Sequence, residues 1–156
     1  MNSQALAASP LTAPMAATPP IGALREDAGK LLLRASVALL VLLHGINKLT
    51  NGPGFVIGAL ERAGLPGGIG YLVYVGEVLA PLLMIAGIWT RAAAGIVAFN
   101  MVVAIGLVHT SGLFALAKQG GGWALELQGL YLAGALAVAL LGAGRFSLGG
   151  ARGRWN

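Results

Sequence analysis

The chain has 156 residues, of which 57% are hydrophobic and only 10% charged, and its formal net charge is +5. A soluble domain has about 25% charged residues, so this composition cannot cover the surface of a soluble domain of this size and we expect a membrane protein. There is no cysteine. Disulfides, thiolate catalysis and covalently attached haem are therefore excluded, and any redox role needs a bound cofactor or a partner protein.

The stretch before the first apolar segment is rich in Ala, Pro, Ser and Thr. No Lys or Arg precedes Arg25. The stretch also lacks the basic start and apolar core of a secretory signal. We expect a disordered tail over residues 1–27, a membrane domain over 28–148 and a basic tail over 149–156.

Four apolar segments follow, each close to the ~20 residues that a helix needs to cross the hydrocarbon core. They predict an all-α membrane protein with four transmembrane helices in an antiparallel bundle, and the lack of period-two alternation argues against strands. A loop bounded by Gly and Pro holds a candidate short interfacial helix, "FVIGALERAG". The predicted spans are residues 31–49, 69–89, 92–110 and 123–142.

Basic residues flank these segments and indicate their orientation. Seven Lys and Arg lie on the side of the two termini and three on the other side, which favours cytoplasmic termini. Arg34, near the inner end, is expected to extend its charged head to the interface. The charges form no patch for nucleic acid, so we expect no nucleic-acid partner. The seven are Arg25, Lys30, Arg34, Arg91, Arg145, Arg152 and Arg154, and the three are Lys48, Arg62 and Lys118.

Ionisable residues of all four predicted helices fall at one depth. Antiparallel threading places His44 and Lys48 at the outer end of the first helix and Glu77 about two turns into the second. His109 and Glu126 lie near the outer ends of the third and fourth helices. At about 1.5 Å per residue, all five lie within roughly 15 Å of the outer boundary. Because charges at membrane depth are costly, we expect them to pair around one wet pocket.

Simpler interpretations compete for single residues. Lys48 and His109 lie close enough to the interface to extend into water, and Glu126 follows Trp123, an interfacial anchor by type. Glu77 is the hardest to explain as a side chain that reaches water at the interface, because it lies about 12 Å below the boundary. Three amides nearby are secondary candidates: Asn47, Asn100 and Gln128.

An ordered set of short motifs runs through the apolar segments. It consists of HG..KL in "LLLRASVALLVLLHGINKL", GE...P and TR in "VGEVLAPLLMIAGIWTRAAA", a histidine in "NMVVAIGLVHTSGLFAL" and a closing "GRFSL". In this order the chain resembles the DoxX family of bacterial four-helix membrane proteins. The resemblance covers nearly all of residues 30–148.

The resemblance implies a component of the bacterial inner membrane that works with an oxidoreductase and meets quinone. The family name comes from a subunit linked to a thiosulfate:quinone oxidoreductase. The implied partners are the lipid bilayer, an oxidoreductase partner protein and a second copy of the chain. Without cysteine, sulfur chemistry through the chain's own thiols is excluded. The matching polar positions are His44, Lys48, Glu77, His109 and Glu126.

Three functions remain open at this point: a quinone-linked or redox-partner subunit without catalysis of its own, a small-molecule carrier, and a scaffold for soluble partners. His44 or His109 could donate a hydrogen bond to a quinone carbonyl. The nearby acids argue against a haem bridged by the two histidines. Candidate metal ligands scattered over four helices, with no Glu-x-x-His pair, argue against a metal. The lack of a second inverted repeat weakens the carrier interpretation.

Overall fold

The computed structural model describes residues 20–117, 120–150, 153, 155 and 156. Within these ranges the chain forms five α-helices and no strand, which confirms the predicted all-α class. A 3₁₀ turn (Gly67–Leu72) and a π turn (Val75–Leu79) lead into the third helix, so that Gly67–Ala86 is one helical segment. The helices are α1 (Ile21–Asn51), α2 (Gly54–Arg62), α3 (Ala80–Ala86), α4 (Thr90–Val108) and α5 (Glu126–Leu141).

In the part of the chain that the structure describes, three helical segments are long and apolar enough to cross a membrane: α1, Gly67–Ala86 and α4. Helix α5 is apolar but has only 16 residues, a length of about 24 Å against a hydrocarbon core of about 30 Å. The prediction that this helix begins at Trp123 is wrong, because the chain before it forms a tight reversal. There Leu116 pairs with Trp123, and the Ala117 N–H donates to the Gly122 carbonyl at 2.7 Å.

Helix α1 begins at Ile21, so the last residues of the expected tail are helical. Pro20 precedes the helix with φ of −61°, a value suited to helix entry. Asp27 accepts a hydrogen bond from the Arg145 N–H at 3.1 Å and lies 3.9 Å from the Lys30 ammonium. The contact with Arg145 ties the first turns of α1 to the segment after α5. The rest of the expected tail (1–19), Lys118, Arg152 and Arg154 lie outside the described residues.

The core lies between α1, α3, α4 and α5 and is built largely from small side chains. Small residues let helix backbones approach closely in lipid. At Gly45 of α1, an added Cβ would overlap the carbonyl oxygen of Glu77, and at Gly134 of α5 it would meet Val37 at 2.7 Å. Close backbone contact therefore holds α1 against two neighbours. Fully buried members of the core include Ala38, Val41, Ala80, Met84, Ala94, Val97, Ala135 and Val138.

Arg34 is buried at one end of this bundle, with 1% of its surface exposed. We name this the inner end, and the opposite end the outer end, after the predicted orientation. The expectation that Arg34 extends to the interface is wrong. Its guanidinium donates to the carbonyls of Ala143 at 3.0 Å and Phe146 at 2.7 Å. The segment after α5 turns back over it, because the Leu148 N–H donates to the Ala86 carbonyl. Backbone carbonyls thus replace water around the charge.

Asn156 closes the same end from the other side. Its side-chain oxygen accepts from the Thr90 N–H at 3.2 Å and from the Thr90 hydroxyl at 3.0 Å. Its main-chain oxygen accepts from Arg91 Nε at 3.0 Å, and Arg91 also donates to the Ala139 carbonyl. Asn156 therefore holds the polar groups of Thr90 and Arg91 at the start of α4.

Candidate functional site

A cavity of about 840 Å³ lies at the opposite end of the bundle. All of the larger helical segments contribute to its wall, and α2 covers it with Phe55, Val56, Ala59 and Leu60. Most of the wall is apolar. Its polar and aromatic-hydroxyl side chains are His44, Lys48, Glu77, Asn100, His109, Gln128 and Tyr131.

An ion pair forms the centre of the polar wall. Lys48 Nζ donates to Glu77 Oε2 at 2.5 Å, and Asn100 Nδ2 donates to Glu77 Oε1 at 3.4 Å. Glu77 is 6% exposed. Both carboxylate oxygens are thus engaged, whereas an ammonium has three donors. The pair carries no net charge, and Lys48 keeps donor capacity toward the cavity.

The backbone around Glu77 departs from α-helical geometry. Glu77 lies in the π turn, and Pro81, four residues later, lacks the N–H that would bond to its carbonyl in an α-helix. That carbonyl instead lies against Gly45, where no side chain fits. Tyr74 adds a further tie by donating its hydroxyl proton to the Lys48 carbonyl at 3.0 Å. Single π turns inside helices occur frequently at functional sites.

The two histidines lie on the wall with partners from α5. The ring of His44 meets the ring of Tyr131 edge to face, with centroids 5.8 Å apart. His109 Nε2 lies 3.4 Å from Gln128 Nε2, and the tautomer of the histidine decides whether its nitrogen accepts. Gln128 and Tyr131 are three residues apart, so they share one face of α5. This spacing is the signal by which Tyr131 could have been found in the sequence.

Glu126 does not join this group. Its Oε1 accepts a hydrogen bond from the Trp123 N–H at 3.1 Å, and its side chain is outside the cavity wall. It lies at the first residue of α5, where a carboxylate also complements the helix dipole. Of the five ionisable residues predicted to meet, the cavity brings together His44, Lys48, Glu77 and His109.

Asn47 lines a second, neighbouring cavity of about 560 Å³ at the outer end of α1. This second cavity, the outer groove, also contains Asn51 and backbone from Gly52 to Gly54. His44, Lys48, Phe55 and Val56 line both spaces. The two polar members of this set, His44 and Lys48, therefore lie between a mostly apolar chamber and a more polar groove.

The side chains present suit an uncharged or amphipathic molecule better than an ion. The paired Lys48 and Glu77 offer no net charge to attract one. Within the described ranges, no three His, Asp or Glu side chains are grouped closely enough to hold a metal ion. A mostly apolar cavity with a few convergent polar groups is the usual form of a small-molecule site.

These features define a membrane protein with several apolar helices and a cavity between them. The chain belongs to the DoxX family, whose model matches residues 29–110, slightly more than half of the sequence. This match confirms the resemblance drawn from the motifs. It contains His44, Lys48, Glu77 and His109 and ends before α5. Comparison with curated proteins and with solved structures found no match.

Proposed function

We propose that the chain is an inner-membrane component of an oxidoreductase system and that its cavity holds the head group of a quinone. The Lys48–Glu77 pair on the wall of the apolar cavity carries this proposal. A quinone has a flat apolar ring with two carbonyl acceptors, which matches an apolar chamber offering a few donors. Within the bilayer, polar side chains of this kind mark sites for ligands or protons by default.

The proposal includes an antiparallel arrangement of four spans with both termini in the cytoplasm. Two contacts support alternating directions: Arg34 of α1 meets Ala143 just after α5, and Lys48 near the other end of α1 meets Glu77. The excess of Lys and Arg at the Arg34 end supports the orientation. A reporter active only outside the cytoplasm tests it. Fused to the C-terminus, the reporter should stay inactive.

Each polar residue has a distinct role in this proposal. Lys48 donates a hydrogen bond to one quinone oxygen, while Glu77 keeps the ammonium in place and Asn100 orients the carboxylate. His109, which lies beside Gln128, forms a hydrogen bond with the second oxygen, on the other side of the quinone ring. When bound, a quinone supplies an acceptor for electrons and protons, and the electrons come from a partner protein.

His44 is proposed to carry protons between the outer groove and the cavity. It lines both spaces, and an imidazole has two ring nitrogens that can donate and accept protons. Its edge-to-face contact with Tyr131 holds the imidazole in one orientation. Proton exchange on the outer side would thereby be coupled to the occupant of the cavity.

The test is binding of a short-tailed benzoquinone to the purified protein in lipid nanodiscs. We expect quinone in the lipid extract of the native protein, and about tenfold weaker binding for Lys48→Met and His44→Ala, since each loses a hydrogen-bonding group. Thr50→Ala is the matched control on α1, because the Thr50 hydroxyl bonds only to carbonyls of its own helix. Equal binding by all four proteins would contradict the proposal.

A carrier of small apolar molecules is the second candidate, and the geometry of the α2 cover favours it. Gly52 and Gly64 flank α2 with φ of +79° and +75°, a backbone region that costs glycine little. The cover is thus bounded by two residues that permit hinge motion. Uptake of a labelled apolar solute into sealed vesicles, dependent on this chain, would favour the carrier over the quinone-linked role.

A further inference from the structure

Nine apolar side chains line the cavity and are also exposed. Four of them lie near α2 or at the start of α5: Phe55, Leu65, Ile69 and Leu127. The other five lie on α4 and on the helical segment that precedes it. On α4 they are Ile96, Phe99 and Val103, whose spacing of three and four residues places them in one stripe. Leu72 and Val75 have the same two properties on the preceding helical segment. A side chain that belongs to both surfaces lies at an opening between them.

This opening faces acyl chains. Both helical segments that contribute to it are long and apolar enough to span the bilayer, so their outward surfaces contact lipid. None of the five side chains has a polar atom. The outer groove differs in this respect, since Asn47 and Asn51 line it.

The aqueous side of the same cavity is covered. Ala59 and Leu60 of α2 line the cavity and are 4% and 5% exposed. Ile57 of the same helix packs against Gly70, where an added Cβ would lie 2.9 Å from its side chain. In this conformation α2 lies over the chamber, with exposed Phe55 at its start, whereas the opening between Gly67–Ala86 and α4 is bordered by five exposed apolar side chains.

We infer that ligands enter this cavity sideways from the bilayer, between the segment Gly67–Ala86 and α4. The ligand is a lipid-dissolved amphipathic molecule. Its alkyl tail lies in the opening beside Phe99 and Val103, and its polar group lies by the Lys48–Glu77 pair. The placement of the ligand's polar group beside Lys48 and Glu77 rests on the proposed function, whereas the entry route rests on the opening alone.

Photolabelling of the protein in nanodiscs tests the entry route. Two probes carry the same diazirine-bearing decyl tail, one on a benzoquinone and the other on a benzene ring, and a tail-less diazirinyl benzoate reports access from water. We expect both tailed probes to label Met101, a buried residue of the cavity wall, and unlabelled decylbenzene to compete. The benzoate should label Met101 far less.

Substitution of the opening supplies the decisive comparison. Val103→Trp fills it, and competable labelling of Met101 should fall about tenfold. Val102→Trp is the matched control, because Val102 is 53% exposed on the same helix but does not line the cavity. Ile96→Trp repeats the test if Val103→Trp does not fold. Unchanged labelling in the folded variants, or stronger labelling by the benzoate, would overturn the inference.

The two probes separate this inference from the proposed function. If both tailed probes label Met101 equally and His44→Ala affects neither, the lipid-side entry stands and quinone recognition fails. If the quinone probe alone depends on His44 and Val103→Trp has no effect, quinone recognition stands and the lipid-side entry fails.

Discussion

The bundle contains charged side chains at both ends, and the surroundings of these side chains differ between the two ends. At the inner end, Arg34 is enclosed by the carbonyls of Ala143 and Phe146, outside the wall of the large cavity. At the outer end, Lys48 and Glu77 are paired on the wall of a chamber of about 840 Å³. Both arrangements satisfy charges inside an apolar protein.

The difference lies in what the remaining donors face. The remaining N–H donors of the Arg34 guanidinium point into packed protein, where Nε has no hydrogen-bond partner among the described residues. Those of the Lys48 ammonium face a space large enough for a molecule. A buried charge held by backbone carbonyls fixes the position of a chain segment, whereas a buried pair beside a void can also bind a ligand. Substitutions at the two ends should therefore have separable effects.

The largest effect on stability is expected from breaking the outer pair. Lys48→Met leaves the Glu77 carboxylate buried without its cation, which costs about 3–5 kcal/mol. Lys48→Met/Glu77→Gln removes both charges and should recover most of that loss. Unfolding in mixed detergent, analysed as a double-mutant cycle, measures the coupling. Additive losses in the double variant would show that the pair contributes little.

The inner end should affect stability alone. Arg34→Met removes two charge-assisted hydrogen bonds and leaves the buried Ala143 carbonyl and the partly buried Phe146 carbonyl without this donor, at a cost of about 2–3 kcal/mol. Quinone binding by the folded variant should be unchanged, because Arg34 lies outside the cavity wall. Parallel unfolding and binding measurements check both statements. A loss of binding without a loss of stability would reverse the roles assigned to the two ends.

The close backbone contact between Gly45 and Glu77 at the outer end can be tested separately. Gly45→Ala places a methyl group where the Glu77 carbonyl lies, so α1 must move away, at a cost of about 1–2 kcal/mol and with weakened ligand binding. Gly29→Ala is the control in the same helix, because nothing lies within 4 Å of its added Cβ. It should stabilise the protein by about 0.5–1 kcal/mol through helix propensity. Equal behaviour of the two variants would argue against close contact at Gly45.

The smallest effect is expected at Glu126. Glu126→Gln keeps an acceptor for the Trp123 N–H and removes only the charge at the start of α5, so it should cost about 0.5 kcal/mol. Quinone binding measured beside the native protein should not change. Weakening as large as that of His44→Ala would place Glu126 in the binding site, as the sequence first suggested.

The contrast between Glu126 and Gln128 shows how far the sequence predicts the site. Both lie near the start of α5 at nearly the same depth, and the sequence favours the charged residue. The structure turns Gln128 and Tyr131 to the cavity and leaves Glu126 outside it. Helices α4 and α5 are apolar around most of their circumference, so no polar face indicates how each is rotated. Arg34 was misjudged for a related reason, since its carbonyl partners are 109 and 112 residues away.

By itself, the sequence determined the membrane environment and the all-α class, and it predicted a depth for each polar side chain. Composition sets the solvent that a chain tolerates, and the fixed rise of a helix converts residue number into depth whatever its neighbours are. Only the tertiary structure decided which helix faces meet, and with them the Lys48–Glu77 pair, the enclosure of Arg34 and the cavity itself. Rotation about a helix axis depends on close packing against other helices, and in this chain glycines such as Gly45 permit that packing.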